Sequence, residues 1–316
     1  EVLPGPGGDP KRMLLDHEHY YATTGGHGGC RGCGEVTSIR LVTSTSHSIT
    51  EKRQQRHIAE LEEITAQLAD RLATMAADER RTRVEEILAT LERRLYLLEG
   101  GPTGKGPSGA VVANATGCSS VYASTMPYNP YTDPWVNSLF QDAQPLAKGI
   151  FEGIAAQLVD DVKALRLARL ELSGSYDPAR DDDGLKYLSW EEFTDEEMDL
   201  LPTILTIGGD GATYDIGFGA LSRILTSNTP IKVMVLNSGV YSNTGGQAST
   251  SSFTGQDSDL SRSGRAHRGK QEFRKELGLI ASFHPNVYVV STATAYQSHF
   301  LKNTLEFLSE QQMPAV

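Results

Sequence analysis

Apolar residues follow two different spacings along the chain. Between residues 51 and 100 they recur every three or four positions, interrupted by a charged stretch at 78–83, which predicts two helices joined as a hairpin. A Gly-Gly-Pro turn at 100–102 ends this pattern. We therefore predict that residues 51–107 form a helical hairpin inserted into a larger domain and packed on its surface, rather than an arm for a partner.

From residue 110 onward, short apolar runs alternate with longer helical patterns. Buried strands are predicted at 110–113, 203–207, 231–236 and 287–291, and helices at 147–170, 214–225 and 295–308. Strands that alternate with helices form parallel sheets covered by helices on both faces. The sequence therefore predicts an α/β fold with a doubly wound, mostly parallel sheet, in one domain that covers residues 1–316.

Composition and charge narrow the possible functions. Hydrophobic residues make up 39% of the chain and charged residues 22%, as in soluble globular proteins, which excludes intrinsic disorder. The net charge of −11 argues against nucleic-acid binding, because contact with phosphates requires a basic surface. The sequence has no run of about 20 apolar residues that could span a membrane and no secretory leader, so we expect a cytoplasmic protein.

The two ends of the chain predict a fragment. The chain begins at Glu1 without a methionine, and it stops at 314–316, where an apolar strand starts. We expect these residues to be part of a longer protein.

A glycine-rich turn after the strand at 203–207 has the character of a phosphate site. The sequence there is Gly208-Gly209-Asp210-Gly211, followed by a helical pattern, and the free backbone amides at a helix start attract anions. A carboxylate beside a phosphate is repelled unless a cation lies between them. Asp210 therefore predicts Mg²⁺ bound to a diphosphate.

The next strand ends in a loop with a dense set of oxygen and amide groups, from Asn237 to Gln247. The carboxyl ends of consecutive parallel strands meet at one edge of a sheet, so we expect this loop beside Asp210. An octahedral cation could take the Asp210 carboxylate, the Ser238 hydroxyl and the Val240 carbonyl. Positions for diphosphate oxygens and water would remain.

The chain has three cysteines, too few for a disulfide scaffold at this length, and they indicate metal or redox chemistry. Cys30 and Cys33 form a Cys-x-x-Cys pair, and Cys118 follows a predicted strand. A [4Fe-4S] cluster requires four thiolates, so one ligand is missing. Zinc is an equal rival, because it accepts mixed histidine and cysteine ligands. Three histidines lie shortly before the pair: His17, His19 and His27.

Several motifs, in the same order, resemble the thiamine diphosphate-binding domain of pyruvate:ferredoxin (flavodoxin) oxidoreductases. The segments that carry the resemblance are 32–35, 113–120, 135–140, 208–219 and 241–247. The resemblance spans most of the chain outside 51–107 and much of 160–200. The Gly-Asp-Gly turn and the Asn-led loop resemble the metal motif of the thiamine diphosphate fold, in which Asn or Thr is usual where this chain has Ser238.

The resemblance implies how this chain would hold thiamine diphosphate. Glu35 and Cys118 would lie near the organic rings of the cofactor, and Asn243 would also face the substrate. The diphosphate and its Mg²⁺ would be held by Gly209, Asp210, Gly211, Ala212, Ser238, Val240, Tyr241, Ser242 and Asn243.

In the same family a [4Fe-4S] cluster lies next to the thiamine. Cys30, Cys33 and Cys118 match three of its ligands, and the fourth would fall beyond Val316. The glutamate that activates the aminopyrimidine lies in another domain of the family.

The function implied by this resemblance is the oxidative decarboxylation of a 2-oxoacid with coenzyme A as the acyl acceptor. The Tyr-Ser-Asn-Thr-Gly-Gly-Gln segment at 241–247 favours pyruvate. Electrons would pass through the cluster to ferredoxin or flavodoxin in a homodimeric enzyme. Two alternatives remain open: a thiamine-dependent lyase or transferase with structural zinc at the three cysteines, and a non-catalytic scaffold subunit that kept the fold.

Overall fold

The structure is a computed structural model that describes residues 28–30, 32–123, 129–258 and 269–316. The chain divides into two compact units. The sheet unit comprises the described residues of Glu1–Thr45, Val112–Ala147 and Leu205–Val316, and the helical unit comprises Ser46–Val111 and Lys148–Ile204.

Helices and strands alternate along much of the chain. The described elements are α1 (Gly34–Thr74), α2 (Glu79–Glu99), β1 (Ala110–Ala115), α3 (Cys118–Tyr122), β2 (Trp135–Ser138), α4 (Ala143–Ser173), α5 (Pro178–Leu185), α6 (Asp195–Met198), β3 (Thr203–Gly209), α7 (Asp210–Tyr214), α8 (Phe218–Leu225), β4 (Lys232–Leu236), α9 (Leu277–Ser282) and α10 (Gln297–Ser309). Among the described residues, no helix has both the length and the apolar character required to cross a membrane.

In the described part of the chain, four strands form one sheet in the order β2-β1-β3-β4. β1 pairs with β2 and β3 pairs with β4, both in parallel, and Gly209 at the end of β3 lies opposite Leu236 at the end of β4. Beyond β4, Ala315 forms parallel bridges to Lys232 and Tyr288. The prediction of an α/β fold with a mostly parallel sheet is confirmed.

Most of the apolar runs that predict strands are buried in this sheet. In β1 and in β3 every residue except one is buried, as expected when helices cover both faces. The predicted strand at 287–291 is not a named strand, but Tyr288 forms a parallel bridge to Ala315 and Val290 donates a backbone hydrogen bond to Val316 at 2.9 Å. β2 was not predicted, because its sequence Trp-Val-Asn-Ser is half polar and its two central residues are exposed.

The helical unit is built around the predicted hairpin. Its buried core residues are Leu61, Ile64, Leu68, Leu72, Val84, Ile87, Leu91, Leu98, Ala164, Leu165 and Ala168. Asp78 caps α2 by accepting a hydrogen bond from the backbone N–H of Arg81 at 2.9 Å, and Gly100 ends this helix. The first helix of the hairpin begins earlier than predicted, because α1 starts at Gly34 and continues without a break to Thr74.

Buried carboxylates connect the helices of this unit. Glu171 of α4 is 2% exposed and pairs with Arg71 of α1 at 3.1 Å and with Arg80 of α2 at 2.7 Å. Glu197 of α6 is equally buried and pairs with Arg166 of α4 at 2.6 Å. A buried carboxylate requires such partners, so these pairs determine which helix faces meet.

The predicted helix at 214–225 begins later in the structure, at Phe218 of α8, and a separate helix, α7, precedes it. α7 ends at Tyr214, and Asp215 leaves the helical conformation with φ −112° and ψ −103°. A Cβ on Gly217 would lie 1.8 Å from the Ala212 carbonyl oxygen, so only glycine permits this close approach. The break turns the chain directly after the predicted diphosphate motif.

Candidate functional site

The carboxyl ends of β3 and β4 bring the two predicted motifs together. Gly209 lies opposite Leu236, α7 begins at Asp210, and the loop after β4 begins at Asn237. The Asp210 side chain is only 3% exposed. A carboxylate at this depth requires hydrogen-bond donors or a cation.

Both oxygens of the Asp210 carboxylate accept hydrogen bonds. Oδ2 accepts from the backbone N–H of Ser238 at 3.0 Å and from its hydroxyl at 2.7 Å. Oδ1 accepts from the backbone N–H of Gly239 at 3.0 Å and from the Ser251 hydroxyl at 2.5 Å. The loop after β4 is thereby held against the start of α7.

Three oxygen atoms at this edge of the sheet form a donor set for a divalent cation. Ser238 Oγ lies 2.7 Å from Asp210 Oδ2 and 3.0 Å from the Val240 carbonyl oxygen. In an octahedral Mg²⁺ site with metal–oxygen distances of about 2.1 Å, neighbouring ligand oxygens are about 3 Å apart. The spacing of these donors therefore fits Mg²⁺, and the structure brings together the three residues predicted for it.

Tyr241 covers one side of the site. Its ring lies over Gly211, where a Cβ would come within 3.2 Å of Tyr241 Cε1. Its hydroxyl donates to Asp215 Oδ2 at 2.7 Å. Burial acts to raise the pKa of Asp215, but hydrogen bonds from Thr250, Tyr241 and Ser249 outweigh it, and the pKa lies below its ordinary value. Asp215 is therefore an ionised anchor for Tyr241.

Other residues predicted to hold the diphosphate surround the same turn. The Thr213 hydroxyl donates to the Gly209 carbonyl oxygen at 2.8 Å and stabilises the first turn of α7. Ala212 is 1% exposed. Ser242 Oγ lies 2.6 Å from Ser238 Oγ, so it extends the row of oxygens beyond the donor set.

Asn243 lies at the exposed tip of the loop, in the 3₁₀ turn Ser242–Thr244. Two backbone hydrogen bonds of 2.9 Å close the base of this loop, from Gly246 to Tyr241 and from Tyr241 to Gln247. Gly246 has a φ of 94°, a conformation that favours glycine. The Asn243 side chain is therefore accessible to solvent.

Glu35 lies in the first turn of α1 and faces the same cavity as Cys118. The Tyr122 hydroxyl donates to Glu35 Oε2 at 3.3 Å. Burial raises the pKa of Glu35, the hydrogen bond from Tyr122 lowers it by less, and the charge of Asp210 raises it further. The two carboxylates therefore influence each other within one site.

The three cysteines line one cavity of about 740 Å³, which Glu35 and Ser238 also line. A backbone hydrogen bond of 3.2 Å from Cys33 to Cys30 forms the Cys-x-x-Cys turn. Burial raises the pKa of Cys118 to about 11, and the charges of Glu35, Cys33 and Cys30 add to this effect. The thiols therefore lie in one cavity with Ser238 of the donor set.

In the part of the chain that the structure describes, no three His, Cys, Asp or Glu side chains are arranged so that they could hold a metal ion. Cys30, Cys33 and Cys118 share a cavity but do not form a closed ligand set. The histidines on which the zinc alternative depends lie outside the described residues: His17, His19 and His27.

Three residues that hold the site together were not predicted from the sequence. Ser251 bonds to Asp210, Asp215 anchors Tyr241, and Lys270 is buried behind them. The hydroxyl run Ser-Thr-Ser-Ser at 249–252 was a usable signal, because clustered hydroxyls beside a cation loop can supply further donors. No sequence signal marks Lys270, because the basic residues around it predict a solvated surface.

Comparison with known proteins gives one family match and several relatives. Residues 199–306 match the family described as Thiamine pyrophosphate enzyme, C-terminal TPP binding domain. The pyruvate:ferredoxin oxidoreductase of Moorella thermoacetica is 34% identical over 62% of this chain and 20% of its own length. The pyruvate-flavodoxin oxidoreductase of Trichormus variabilis is 31% identical over 62% of this chain and 19% of its own length. The pyruvate-flavodoxin oxidoreductase of Klebsiella pneumoniae is 32% identical over 58% of this chain and 18% of its own length.

The chain spans about a fifth of the length of these curated relatives. The match to the family model lies in the region that contains Asp210, Ser238 and Val240. The resemblance predicted from the motifs is confirmed: the chain is related to the pyruvate:ferredoxin and pyruvate-flavodoxin oxidoreductases, and residues 199–306 match the C-terminal thiamine pyrophosphate-binding domain.

Proposed function

We propose that this chain provides the thiamine diphosphate site of an enzyme that decarboxylates pyruvate oxidatively with coenzyme A and passes the electrons to ferredoxin or flavodoxin. One observation carries the proposal: Ser238, the central member of the cation donor set, lines the same cavity as the three cysteines. The names of the relatives support pyruvate as the substrate and ferredoxin or flavodoxin as the acceptor.

Mg²⁺ would be held by the Asp210 carboxylate, the Ser238 hydroxyl and the Val240 carbonyl. A serine hydroxyl has lone pairs as well as a proton, so Ser238 can change from a donor to Asp210 into a cation ligand. The cation would offset the repulsion between Asp210 and a diphosphate. The diphosphate would be contacted by Gly209, Gly211, Ala212, Tyr241, Ser242 and Asn243.

Thiamine diphosphate, when bound, supplies an electron sink for the carbon that loses CO₂. Glu35 and Cys118 would face its organic rings from the cavity, and Tyr122 holds Glu35 in place through its hydroxyl. Asn243, at the exposed loop tip, would contact the incoming 2-oxoacid.

Cys30, Cys33 and Cys118 would hold a [4Fe-4S] cluster together with a fourth cysteine outside this chain. The three thiols have the chemistry that this group requires and line one cavity, but in the described structure they are not arranged as a ligand set, so binding of the cluster would have to draw them together. A cluster beside the cofactor accepts electrons, which distinguishes an oxidoreductase from a simple decarboxylase.

We also infer that residues 1–316 act as one thiamine diphosphate and cluster domain, in which 51–107 is an insert. The complete enzyme would be a cytoplasmic homodimer whose other domains supply the remaining substrate contacts and the pyrimidine-activating glutamate. The motif resemblance supports this arrangement. The relatives support it too, because the chain spans only about a fifth of their length.

Anaerobic assays of the full-length protein test the proposed function. With thiamine diphosphate, Mg²⁺, pyruvate and coenzyme A, we expect reduction of ferredoxin or flavodoxin together with formation of acetyl-coenzyme A. Omission of coenzyme A tests the acyl acceptor, and replacement of pyruvate by 2-oxoglutarate tests the substrate. Decarboxylation to an aldehyde without reduction of the acceptor would indicate a lyase, and a protein that binds no cofactor would be a scaffold.

A further inference from the structure

A run of hydroxyl side chains at 249–252, here called the serine shelf, lies directly behind the proposed cation donors. Ser249, Ser251 and Ser252 are 4%, 0% and 0% exposed. Buried hydroxyls of this kind require hydrogen-bond partners. The partners identify what the shelf does.

Ser251 gives its hydroxyl proton to Asp210 Oδ1, at a distance of 2.5 Å. Ser249 Oγ lies 2.9 Å from Ser251 Oγ and donates its own proton to Asp215 Oδ2 at 2.8 Å. An ionised carboxylate only accepts hydrogen bonds, so each of these hydroxyls is committed to one carboxylate. Hydrogen bonds to a charged acceptor are also the stronger class, which favours this assignment of the protons.

The Ser251 hydrogen bond determines which oxygen of Asp210 is available to a cation. Oδ1 is occupied by Ser251 and by the backbone N–H of Gly239. Oδ2 faces Ser238 Oγ, which in turn lies beside the Val240 carbonyl. Without the Ser251 hydroxyl, Oδ1 would keep only the backbone N–H of Gly239, and the orientation of the carboxylate would be less firmly fixed.

Lys270 holds the serine shelf in place. It is 7% exposed, and its ammonium donates to the carbonyl oxygens of Ser249 and Ser252, both at 2.8 Å. An ammonium buried in this way loses its hydration, and the two carbonyls compensate for that loss. Ser251 therefore lies between two anchored residues, and its backbone is fixed before any ligand arrives.

We infer that Ser251 is a positioning residue for the divalent cation of the cofactor site, and that Lys270 positions Ser251 through the serine shelf. The inference rests on the proposed function, because it requires Asp210 to bind a cation together with thiamine diphosphate. Neither residue would touch the cation; both would act through the orientation of Asp210.

The test uses full-length protein stripped of cation and thiamine diphosphate, with Mn²⁺ as the probe and electron paramagnetic resonance as the readout. In the presence of thiamine diphosphate, Ser251→Ala is expected to weaken Mn²⁺ binding about 10- to 100-fold, the usual effect of losing a partner that orients a metal ligand. At saturating Mn²⁺, the variant should bind as much thiamine diphosphate as the wild type. A purely structural defect would lower the capacity for both ligands.

The matched control is Ser222→Ala, which removes a hydroxyl from another part of the sheet unit. Ser222 Oγ lies 3.0 Å from His284 Nε2 and is not part of the cofactor site. This variant is expected to bind Mn²⁺ with wild-type affinity. A loss of affinity equal to that of Ser251→Ala would overturn the inference.

Two other outcomes separate the inference from the proposed function. Wild-type Mn²⁺ affinity in a folded Ser251→Ala protein would overturn the inference and leave the proposed function intact. A wild-type protein that takes up neither Mn²⁺ nor thiamine diphosphate would overturn the proposed function itself. If Ser251→Ala does not fold, Lys270→Met is the second test. We expect this variant to bind Mn²⁺ more weakly than the wild type, and unchanged binding would overturn the inference.

Discussion

Tyr241 connects two parts of the candidate site through a single side chain. Its ring packs against Gly211 in the first turn of α7, and its hydroxyl donates a hydrogen bond to Asp215 at 2.7 Å. The Val240 carbonyl, a member of the donor set, belongs to the preceding residue. A displacement of the Tyr241 ring should therefore be transmitted to the cation site.

Gly211→Ala tests this connection. The added Cβ would lie 3.2 Å from Tyr241 Cε1, so the ring has to move, and we expect weaker binding of thiamine diphosphate with Mg²⁺, measured by calorimetry. Gly219→Ala is the matched control, because its Cβ would meet no atom within 4 Å. Because Gly219 lies in α8, Gly219→Ala should leave the binding of thiamine diphosphate unaltered and raise the free energy of unfolding by about 0.5–1 kcal/mol. Equal binding by both variants would refute the connection.

Asp215→Asn should destabilise the protein in a pH-dependent way. The ionised side chain accepts from Tyr241, Ser249 and the backbone of Thr250, and an amide cannot replace all of these bonds, so we expect a loss of about 1–3 kcal/mol near neutral pH. The folded-state pKa lies below the ordinary 3.8. The stabilisation is therefore present above pH 3.8 and is lost as the pH falls through the folded-state value.

Denaturant unfolding of the wild type and of Asp215→Asn checks this dependence. The difference in unfolding free energy should be constant between about pH 7 and about pH 5 and should shrink in acid below the ordinary carboxyl pKa. A difference that grows as the pH falls would contradict the lowered pKa.

The sequence predicted the residues that would bind the cation better than the residues that position them. Asp210, Ser238 and Val240 were identifiable because cation chemistry requires oxygen donors at strand ends. Ser251 and Lys270 were not predicted, because their importance depends on burial and on hydrogen bonds that the sequence pattern does not show.

At the level of elements, Glu171 joins three helices of the helical unit. It lies on α4 and pairs with Arg71 of α1 and Arg80 of α2. The carboxylate is buried while both arginines remain partly exposed. Without Glu171, both arginines can be hydrated, so no unpaired charge remains buried. The expected loss of stability is therefore that of the charged hydrogen bonds alone.

Glu171→Ala is therefore expected to destabilise the protein by about 2 kcal/mol, measured by chemical denaturation. The matched control is Glu85→Ala on α2, which removes an exposed partner of Arg81 in the same unit. An exposed pair of this kind contributes less than about 1 kcal/mol. If both variants lost the same stability, Glu171 would not have the connecting role assigned to it.

The pattern of apolar residues predicted most elements, and the differences have local causes. β2 was missed because a short edge strand with polar and exposed positions has no apolar run. The helix at 214–225 was predicted as continuous because periodicity does not show that Gly217 permits a close turn. α1 extends from Gly34 to Thr74 because nothing in its sequence ends the helix where the predicted hairpin starts.

At the level of the whole molecule, the sheet unit contains the cation donors and the three cysteines together. The cavity of about 740 Å³ is lined by Ser238 and by Cys30, Cys33 and Cys118. In the proposed enzyme, a cofactor held at Asp210 passes electrons to a cluster held by these cysteines. Because the electrons move between two sites, the test has to detect both sites in one sample.

The most direct measurement is the visible absorbance of anaerobically purified full-length protein after addition of pyruvate and coenzyme A, with iron and thiamine quantified in the same sample. We predict iron–sulfur absorbance that bleaches in the wild type, and equal iron content without bleaching in Asp210→Asn. A colourless protein that contains zinc would contradict the claim, and so would bleaching of Asp210→Asn at the wild-type rate.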